Sequence, residues 1–480
     1  MNFKMIFHML GKILTLEGVL MALPLLVAVI YREACFLSFL IAIAIALVLG
    51  ILLFKLFRPK DRVIYAKEGF ILVALTWILS SVIGALPFVL SGEIPSFIDA
   101  FFETVSGFTT TGASILTDVE AMSHGLLFWR SFTHWIGGMG VLVLLIALLP
   151  SDSGRTIHIL RAEMPGPVVG KLVPKARDTA KILYLIYLVM TMVQILLLAA
   201  GDMNVFDAFV HTFGTAGTGG FSSQADSIAG YSAYSQWVIT IFMLLFGVNF
   251  NMYYMLLLRR FKHVFKSEEF WCYVGLAGVS TCLICFNIAS VMPSIGDNFR
   301  HSSFQVASIM TTTGYATVDF NQWPEFSKTI LLLLMFVGGC AGSTAGGLKV
   351  SRVVLLWKSI RRNLRQLLHP HSMGVVRFEG KRVEDDTLRG VSVYFAIYFM
   401  LLGGIFLLLS LEPFSMETNL SATVACFNNV GPGFAAVGPV SSYAAYSPLA
   451  KLLLSAAMLL GRLEIYPLII FFIPAAWRRK

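Results

Sequence analysis

Along this chain, runs of about twenty apolar residues alternate with short polar connectors, the pattern of helices long enough to cross a hydrocarbon layer. The first two runs cover residues 13–30 and 35–56. The connector Tyr31-Arg32-Glu33-Ala34 is so short that it predicts an antiparallel hairpin. From Gly69 onward the pattern repeats with a period of roughly a hundred residues, well beyond that of a solenoid. Each repeat reads as a long apolar helix, a short semi-apolar segment ending in a glycine-bearing loop, and a second apolar helix. The predicted helix pairs are 69–90 with 125–149, 182–200 with 237–258, 271–292 with 330–357, and 391–411 with 449–477. The expected organisation is therefore an amino-terminal hairpin, residues 1–67, and four units at 68–178, 179–268, 269–388 and 389–480.

Charge sets the orientation. The chain is 57% hydrophobic and 13% charged over 480 residues, about half the charged share of a soluble domain, so it is expected to be an all-α integral membrane protein. Its net charge of +9 resides in short loops between apolar runs, which suits lipid headgroups and sets nucleic acid aside. The basic clusters are Lys55, Arg58, Lys60, Arg62 and Lys67; then Arg155, Arg161, Lys171, Lys175 and Arg177; then Arg259, Arg260, Lys262 and Lys266; then Lys358 through Arg389; and Arg478-Arg479-Lys480. All fall on one side only if each unit crosses twice and its central segment re-enters. That reading places both termini in the cytoplasm, with the start of the chain retained as a helix rather than cleaved as a leader.

The loops that end the central segments carry the candidate chemistry. They are Thr109-Thr110-Thr111-Gly112, Thr218-Gly219-Gly220, Thr311-Thr312-Thr313-Gly314 and Asn429-Val430-Gly431. Asp99-Ala100-Phe101 lies as far before Gly112 as Asp207-Ala208-Phe209 lies before Gly220, and Thr104, Thr212 and Thr423 share one position. Non-helical backbone at membrane depth is tolerated where it is buried or lines a wet cavity, and glycine allows the turn. Four such loops are expected to ring a dehydrated cation with carbonyl oxygens from Thr110, Thr111, Gly112, Thr218, Gly219, Gly220, Thr312, Thr313, Gly314, Asn429, Val430 and Gly431. No carboxylate lies within them, which favours a monovalent ion. The alternative is close helix packing by small residues. Each central segment begins with an acid (Asp99, Asp207, Asp297 or Glu417), read first as a helix-start residue and second as a cation attractor.

Two further features stand out. The run Gly338-Gly339-Cys340-Ala341-Gly342-Ser343-Thr344-Ala345-Gly346-Gly347 should break its helix at depth, giving either a segment that obstructs the cavity or a packing kink. Arg462 is a charge inside an apolar helix, read as a positive group below the loops, with a salt bridge to Glu464 or snorkelling as the alternative. Gly137-Gly138-Met139-Gly140 is read as close packing and His134 as no part of a ligand set. The six scattered cysteines, including the Cys282 and Cys285 pair, are read as packing residues. No HExxH, GxSxG or paired intramembrane carboxylate points to an enzyme; a carrier with broken helices is the main alternative.

With these residues in view, the whole chain resembles the Trk/Ktr superfamily of potassium transporters, in its bacterial TrkH/TrkG type. The resemblance implies potassium uptake across the inner membrane, with one key filter glycine per unit at Gly112, Gly220, Gly314 and Gly431. It also implies an intramembrane gating loop at Gly338, Gly339, Gly342, Ser343, Thr344, Gly346 and Gly347, and a pore-lining arginine at Arg462. A homodimer, a TrkA-type cytosolic nucleotide-binding ring, and potassium as the bound ion with no organic cofactor are further implications. The loops depart from the Thr-Val-Gly-Tyr-Gly of potassium channels, so discrimination against sodium is expected to be modest.

Overall fold

In a computed structural model of the chain, residues 1–59, 65–140, 143, 176–370 and 374–477 are described. The basic residues Lys60, Arg62, Arg155, Arg161, Lys171, Lys175 and Arg478-Arg479-Lys480, and positions 144–149 of a predicted helix, lie outside them. The described residues are helical apart from connecting segments and one two-stranded hairpin, Arg377–Phe378 paired with Lys381–Arg382. Six helices are long and apolar enough to cross a membrane: Phe3–Ile30, Phe36–Leu56, Lys67–Ser91, Asp178–Ala199, Glu268–Asn287 and Asp385–Leu409. They correspond to the two arms of the predicted hairpin and the first helix of each predicted unit.

The first arm starts at Phe3, ten residues earlier than its hydropathy indicated, and consists of α1 (Phe3–Leu20) and α2 (Ala22–Ile30) meeting at Met21. Pro24 has no amide to offer the Leu20 carbonyl, so the chain jogs there. α1 lies tightly along α3 (Phe36–Leu56). A Cβ on Gly11 would come within 2.6 Å of the Gly50 carbonyl oxygen, and one on Gly50 would meet Thr15 Oγ1 at 2.5 Å. Small residues thus let two backbones touch without a hydrophobic driving force between them. The outer faces of these helices expose side chains such as Val19 and Val48, as suits a lipid surround.

After each long first helix, namely α4 (Ala66–Ser91), α7 (Ala176–Ala199), α11 (Glu268–Asn287) and α15 (Asp385–Leu409), comes a short one. These are α5 (Phe97–Phe108), α8 (Val205–Gly217), α12 (Ile295–Met310) and α16 (Met416–Phe427). At 1.5 Å per residue they reach only about 18–24 Å, too short to span. The cap at each start is a side-chain oxygen of Ser96, Asn204, Ser294 or Ser415, which accepts a backbone amide of the first turn. The acids Asp99, Asp207, Asp297 and Glu417 follow within that turn, where they complement the helix's positive end. They are also engaged. Lys451 sits 2.7 Å from Asp99, Arg300 2.7 Å from Asp297 and Lys328 3.8 Å from Glu417, while Ser223 Oγ donates to Asp207 at 2.6 Å.

The predicted second helices require correction. Sequence hydropathy made 125–149, 237–258 and 449–477 continuous and broke only 330–357. All four are broken. α6 (His124–Met139) stops at Gly140, with φ 84°. α9 (Ala233–Phe246) stops at Gly247 and resumes as α10 (Phe250–Leu257) after a 90° bend. α13 (Glu325–Val337) ends at Gly338, with φ 74°, and α14 (Val350–Leu368) follows the glycine-rich segment. α17 (Pro448–Arg462) is followed by Glu464 and Ile465 at φ 54° and 69°, then α18 (Tyr466–Phe472). The half-helices ending at Met139, Phe246, Val337 and Arg462 are 13–16 residues long, so the four breaks come at similar distances from the helix starts.

Candidate functional site

Each short helix ends in the same turn. The amide of Thr110, Thr218, Thr312 or Asn429 bonds the carbonyl three residues back, and the next amide reaches five residues back at 2.8–2.9 Å. This is the two-bond Schellman ending, which needs a left-handed residue at its centre. Here that residue is Thr110 (φ 55°), Thr218 (59°), Thr312 (58°) or Asn429 (58°) rather than the usual glycine. Two positions later the chain turns left-handed again at Gly112 (82°), Gly220 (78°), Gly314 (83°) and Gly431 (97°). Four stretches of different sequence thus share one backbone path, and the pairing of Thr110 with Thr218 expected from the internal alignment is present in the dihedral angles.

The four glycines meet in a closed cycle. A Cβ on Gly112 would overlap the carbonyl oxygen of Gly219, one on Gly220 that of Thr313, one on Gly314 that of Val430, and one on Gly431 that of Thr111, each closer than 3.0 Å. In every case the neighbour's oxygen belongs to the residue just before its own glycine. Bare backbone is therefore required at all four places, and the cycle returns to its start. Thr110, Thr111, Thr218, Thr312, Thr313, Asn429 and Val430 are fully buried around it. Gly112, Gly220, Gly314 and Gly431 all border one cavity of about 350 Å³, which is otherwise lined mainly by the strands that leave the loops.

Several side chains with no such role assigned from sequence brace this cycle. His134 is buried, with Nδ1 2.7 Å from the Gly107 carbonyl and Nε2 accepting the Phe221 amide, so the proton belongs on Nδ1. Tyr315 donates its hydroxyl toward the His211 and Phe221 carbonyls at 3.1 and 3.0 Å. Tyr443 donates to the Gly431 carbonyl at 2.7 Å, and its amide bonds Ser114 O. Arg130 is 4% exposed and meets Glu103, 1% exposed, at 2.5 Å. A buried arginine and glutamate inside semi-apolar stretches were the available signal for this pair. Asn429, standing where the other loops have threonine, donates through Nδ2 to Thr111 Oγ1 and Met458 O, both at 2.9 Å.

The glycine-rich segment lies against the helix-end side of the cycle. The Gly346 amide donates to Thr312 Oγ1 at 2.6 Å and the Gly347 amide to Asn428 O at 3.1 Å. Gly338 and Gly347 pack backbone to backbone, so the segment folds back on itself and rejoins α13 and α14 at nearly one point. The intervening residues Gly342, Ser343 and Thr344 are held by Phe250, whose amide donates to Gly342 O, by the Cys340 carbonyl, and by Phe246 O. Gly339 packs against Ala345 and Gly247. Glu269 Oε1 accepts the Ala341 and Ser351 amides, tying both shoulders of the segment to the start of α11.

Arg462 does not pair with Glu464, as the alternative reading had it. Its guanidinium donates to Thr344 O at 2.8 Å, Gly137 O at 2.6 Å and Gly138 O at 2.7 Å, joining the segment to the broken end of α6. Glu464 is taken by Arg352 instead. Gly137 is also a true close approach, since a Cβ there would collide with the Phe108 backbone. Arg462, Gly138, Gly342, Ser343, Gly346 and Gly347 line a second, much smaller cavity of about 40 Å³.

Comparison with known proteins follows the same lines. Residues 37–479 match the model of a family described as TrkH, cation transport protein. The chain is 36% identical to the Trk system potassium uptake protein TrkH of Salmonella typhimurium and 35% identical to TrkG of Escherichia coli, with at least 99% of each chain covered. A crystal structure of the potassium transporter TrkH from Vibrio parahaemolyticus superposes with a TM-score of 0.90 at 31% identity, covering 100% of both chains. The six long apolar helices make this a multi-pass membrane protein, and the chain belongs to the TrkH family of cation transport proteins.

Proposed function

We propose that this chain carries potassium ions inward across the bacterial cytoplasmic membrane, through one pore selected where its four loops meet. The observation that carries this reading is the closed cycle of backbone contacts from Gly112 to Gly219, Gly220 to Thr313, Gly314 to Val430 and Gly431 to Thr111. Left-handed residues two apart, with one residue of ordinary φ between them, turn carbonyls toward one axis, and the carboxyl ends of α5, α8, α12 and α16 add negative potential there. The large cavity bordering the glycines is the outer vestibule. The oxygens of Thr110, Thr111, Gly112, Thr218, Gly219, Gly220, Thr312, Thr313, Gly314, Asn429, Val430 and Gly431 form the filter. The four helix–loop–helix units surround it, and potassium is cargo rather than a resident cofactor.

Residues 338–347 act as the gate and Arg462 as its latch. The segment blocks the helix-end side of the filter, held by Thr312, Asn428, Glu269 and the arginine. Both termini face the cytoplasm. A cytosolic nucleotide-binding ring of the TrkA type releases the gate, and two copies of the chain form the transporter. The names of the relatives, which belong to a Trk uptake system, support the regulatory partner.

In proteoliposomes loaded with potassium and placed in a sodium bath, the outward potassium gradient should drive accumulation of radioactive rubidium. Collapse of the gradient should abolish it. Uptake of rubidium that ignores the gradient, or no uptake with the regulatory ring bound, would remove this function. Arg462→Ala removes the hydrogen bonds to Thr344 O, Gly137 O and Gly138 O and should raise basal rubidium uptake by at least about tenfold, since even one hydrogen bond to a charged group contributes about 1.5 kcal/mol or more. An unchanged rate at normal abundance would leave Arg462 a structural residue.

A further inference from the structure

The residue nine positions before each loop glycine stands behind the strand that leaves the loop. These residues are Glu103, His211, Gln305 and Ala422. In the first loop, Ser114 Oγ donates to Glu103 Oε1 and the Ile115 amide to Oε2, both at 2.9 Å. In the second, His211 Nε2 lies 2.9 Å from Ser222 Oγ. Ser114 and Ser222 occupy the same place, two residues past Gly112 and Gly220. In the third, the corresponding residue is Ala316, and neither side-chain amide atom of Gln305 finds a hydrogen-bond partner among the described residues. In the fourth, Ala422 and Gly433 leave nothing polar to join.

At this paired position only the first two loops are joined. The strands of the third and fourth are held instead by Ser308 on the Tyr315 carbonyl and by Ser421 on the Phe434 amide. A single arginine links the first two. Arg130 Nε donates to Glu103 Oε1 at 2.5 Å, Nη1 donates to Ser222 O at 3.1 Å, and the guanidinium lies 3.6 Å above the Phe221 ring. Its contacts go to the two residues directly after Gly220, while those of Glu103 go to the residues two and three after Gly112. A pair that only fastened α5 to α6 would not need to reach either strand. Arg130 also borders the outer cavity, so Glu103 neutralises the one positive charge that lines it among the described residues. Burying both charges is costly, and removing one partner leaves the other uncompensated.

We propose that Glu103 and Arg130 are specificity-positioning residues: the pair couples the strand leaving Gly112 to the strand leaving Gly220 and so sets the spacing of the Thr111 and Gly219 carbonyls that discriminates potassium from sodium. The proposal rests on the filter reading above and adds to it a prediction that reading does not make. Loss of the pair changes two separable quantities. Brace loss changes the choice of ion, and the bared arginine weakens entry of any cation.

The experiment compares rubidium and sodium uptake by proteoliposomes of the full chain carrying Glu103→Gln, Glu103→Gln with Arg130→Gln, and Gly220→Ser. Glu103→Gln should lower the rubidium-to-sodium uptake ratio by about tenfold, the scale of one charge-assisted hydrogen bond, and raise the half-saturating rubidium concentration. The double variant should restore the half-saturating concentration while the ratio stays low. If the ratio is unchanged in both while Gly220→Ser lowers it, the pair is merely structural and the proposal fails alone. If Gly220→Ser also leaves the ratio unchanged, the filter reading itself fails. Should Glu103→Gln not accumulate in the membrane, Ser114→Ala removes one brace without baring a charge. A lowered ratio there sustains the proposal and an unaltered ratio overturns it.

Discussion

Replacing Gly220 by serine is expected to cut the rubidium-to-sodium uptake ratio by about tenfold or more, equivalent to at least about 1.4 kcal/mol of lost discrimination. Two independent penalties act at this position. The backbone is left-handed, at φ 78°, where a side chain is strained. The new Cβ would also land on the Thr313 carbonyl oxygen of the next loop. The oxygen cannot remain in place, and it is one of those proposed to hold the ion. Gly112, Gly314 and Gly431 have the same problem with Gly219, Val430 and Thr111, so each single replacement should act, and each should act through its neighbour's carbonyl. Gly92 provides the control. It is also left-handed, at φ 78°, but has nothing within 4 Å of an added Cβ, so Gly92→Asn should leave the ratio as it is.

Gly346→Val should raise uptake in the absence of the regulatory ring by about tenfold, the counterpart of about 1.4 kcal/mol taken from the closed state. A Cβ on Gly346 would sit 2.5 Å from Asn428 O and 3.1 Å from Asn429 Cβ, so valine pushes the segment off the cycle of loops and breaks the bond to Thr312 Oγ1. Removing part of residues 338–347 should act in the same direction, because Gly338 and Gly347 must touch for the segment to fold back. Flux measured into vesicles of matched protein content decides the matter. Wild-type flux from both variants would reduce the segment to a packing kink.

Much of the site was legible because glycine identity reports a backbone demand. Gly112, Gly220, Gly314 and Gly431 are needed where the chain is left-handed and another carbonyl is close, and no other residue type substitutes cheaply, so the four loops stay recognisable even where Asn429 and Val430 stand in place of threonines. The first helices were legible for a similar reason, since twenty apolar residues have few alternatives in a membrane. The breaks in the second helices were hidden. Gly247 is a lone glycine in an apolar run, and at the fourth break the left-handed residues are Glu464 and Ile465, types that ordinarily avoid that region. Their conformation is imposed by neighbours: Arg352 holds Glu464, and Ile465 is buried. The start of α1 was missed because Lys4, His8 and Lys12 interrupt its hydropathy, although the helix runs through them.

Side-chain partners far apart in sequence were the least legible. Glu103 and Arg130 each look like an isolated charge in an apolar neighbourhood, and only the fold shows that they answer one another. Arg462 read as a positive group below the loops, with Glu464 as the alternative partner, but positions two apart at a helix end do not face each other, and its partners are carbonyls freed by breaks in two other elements. The sequence marked a charge that required an explanation. The broken helices supplied it.

The central claim is that four loops hold one cation between their carbonyl oxygens. Diffraction from crystals soaked in thallium or rubidium, with the anomalous signal of the ion located, tests it most directly. The expected result is a peak on the axis of the cycle, in coordinating contact with the carbonyls of Thr111, Gly219, Thr313 and Val430, and weakened by excess potassium. Ions found in the outer cavity or elsewhere, with none between those four carbonyls, would contradict it.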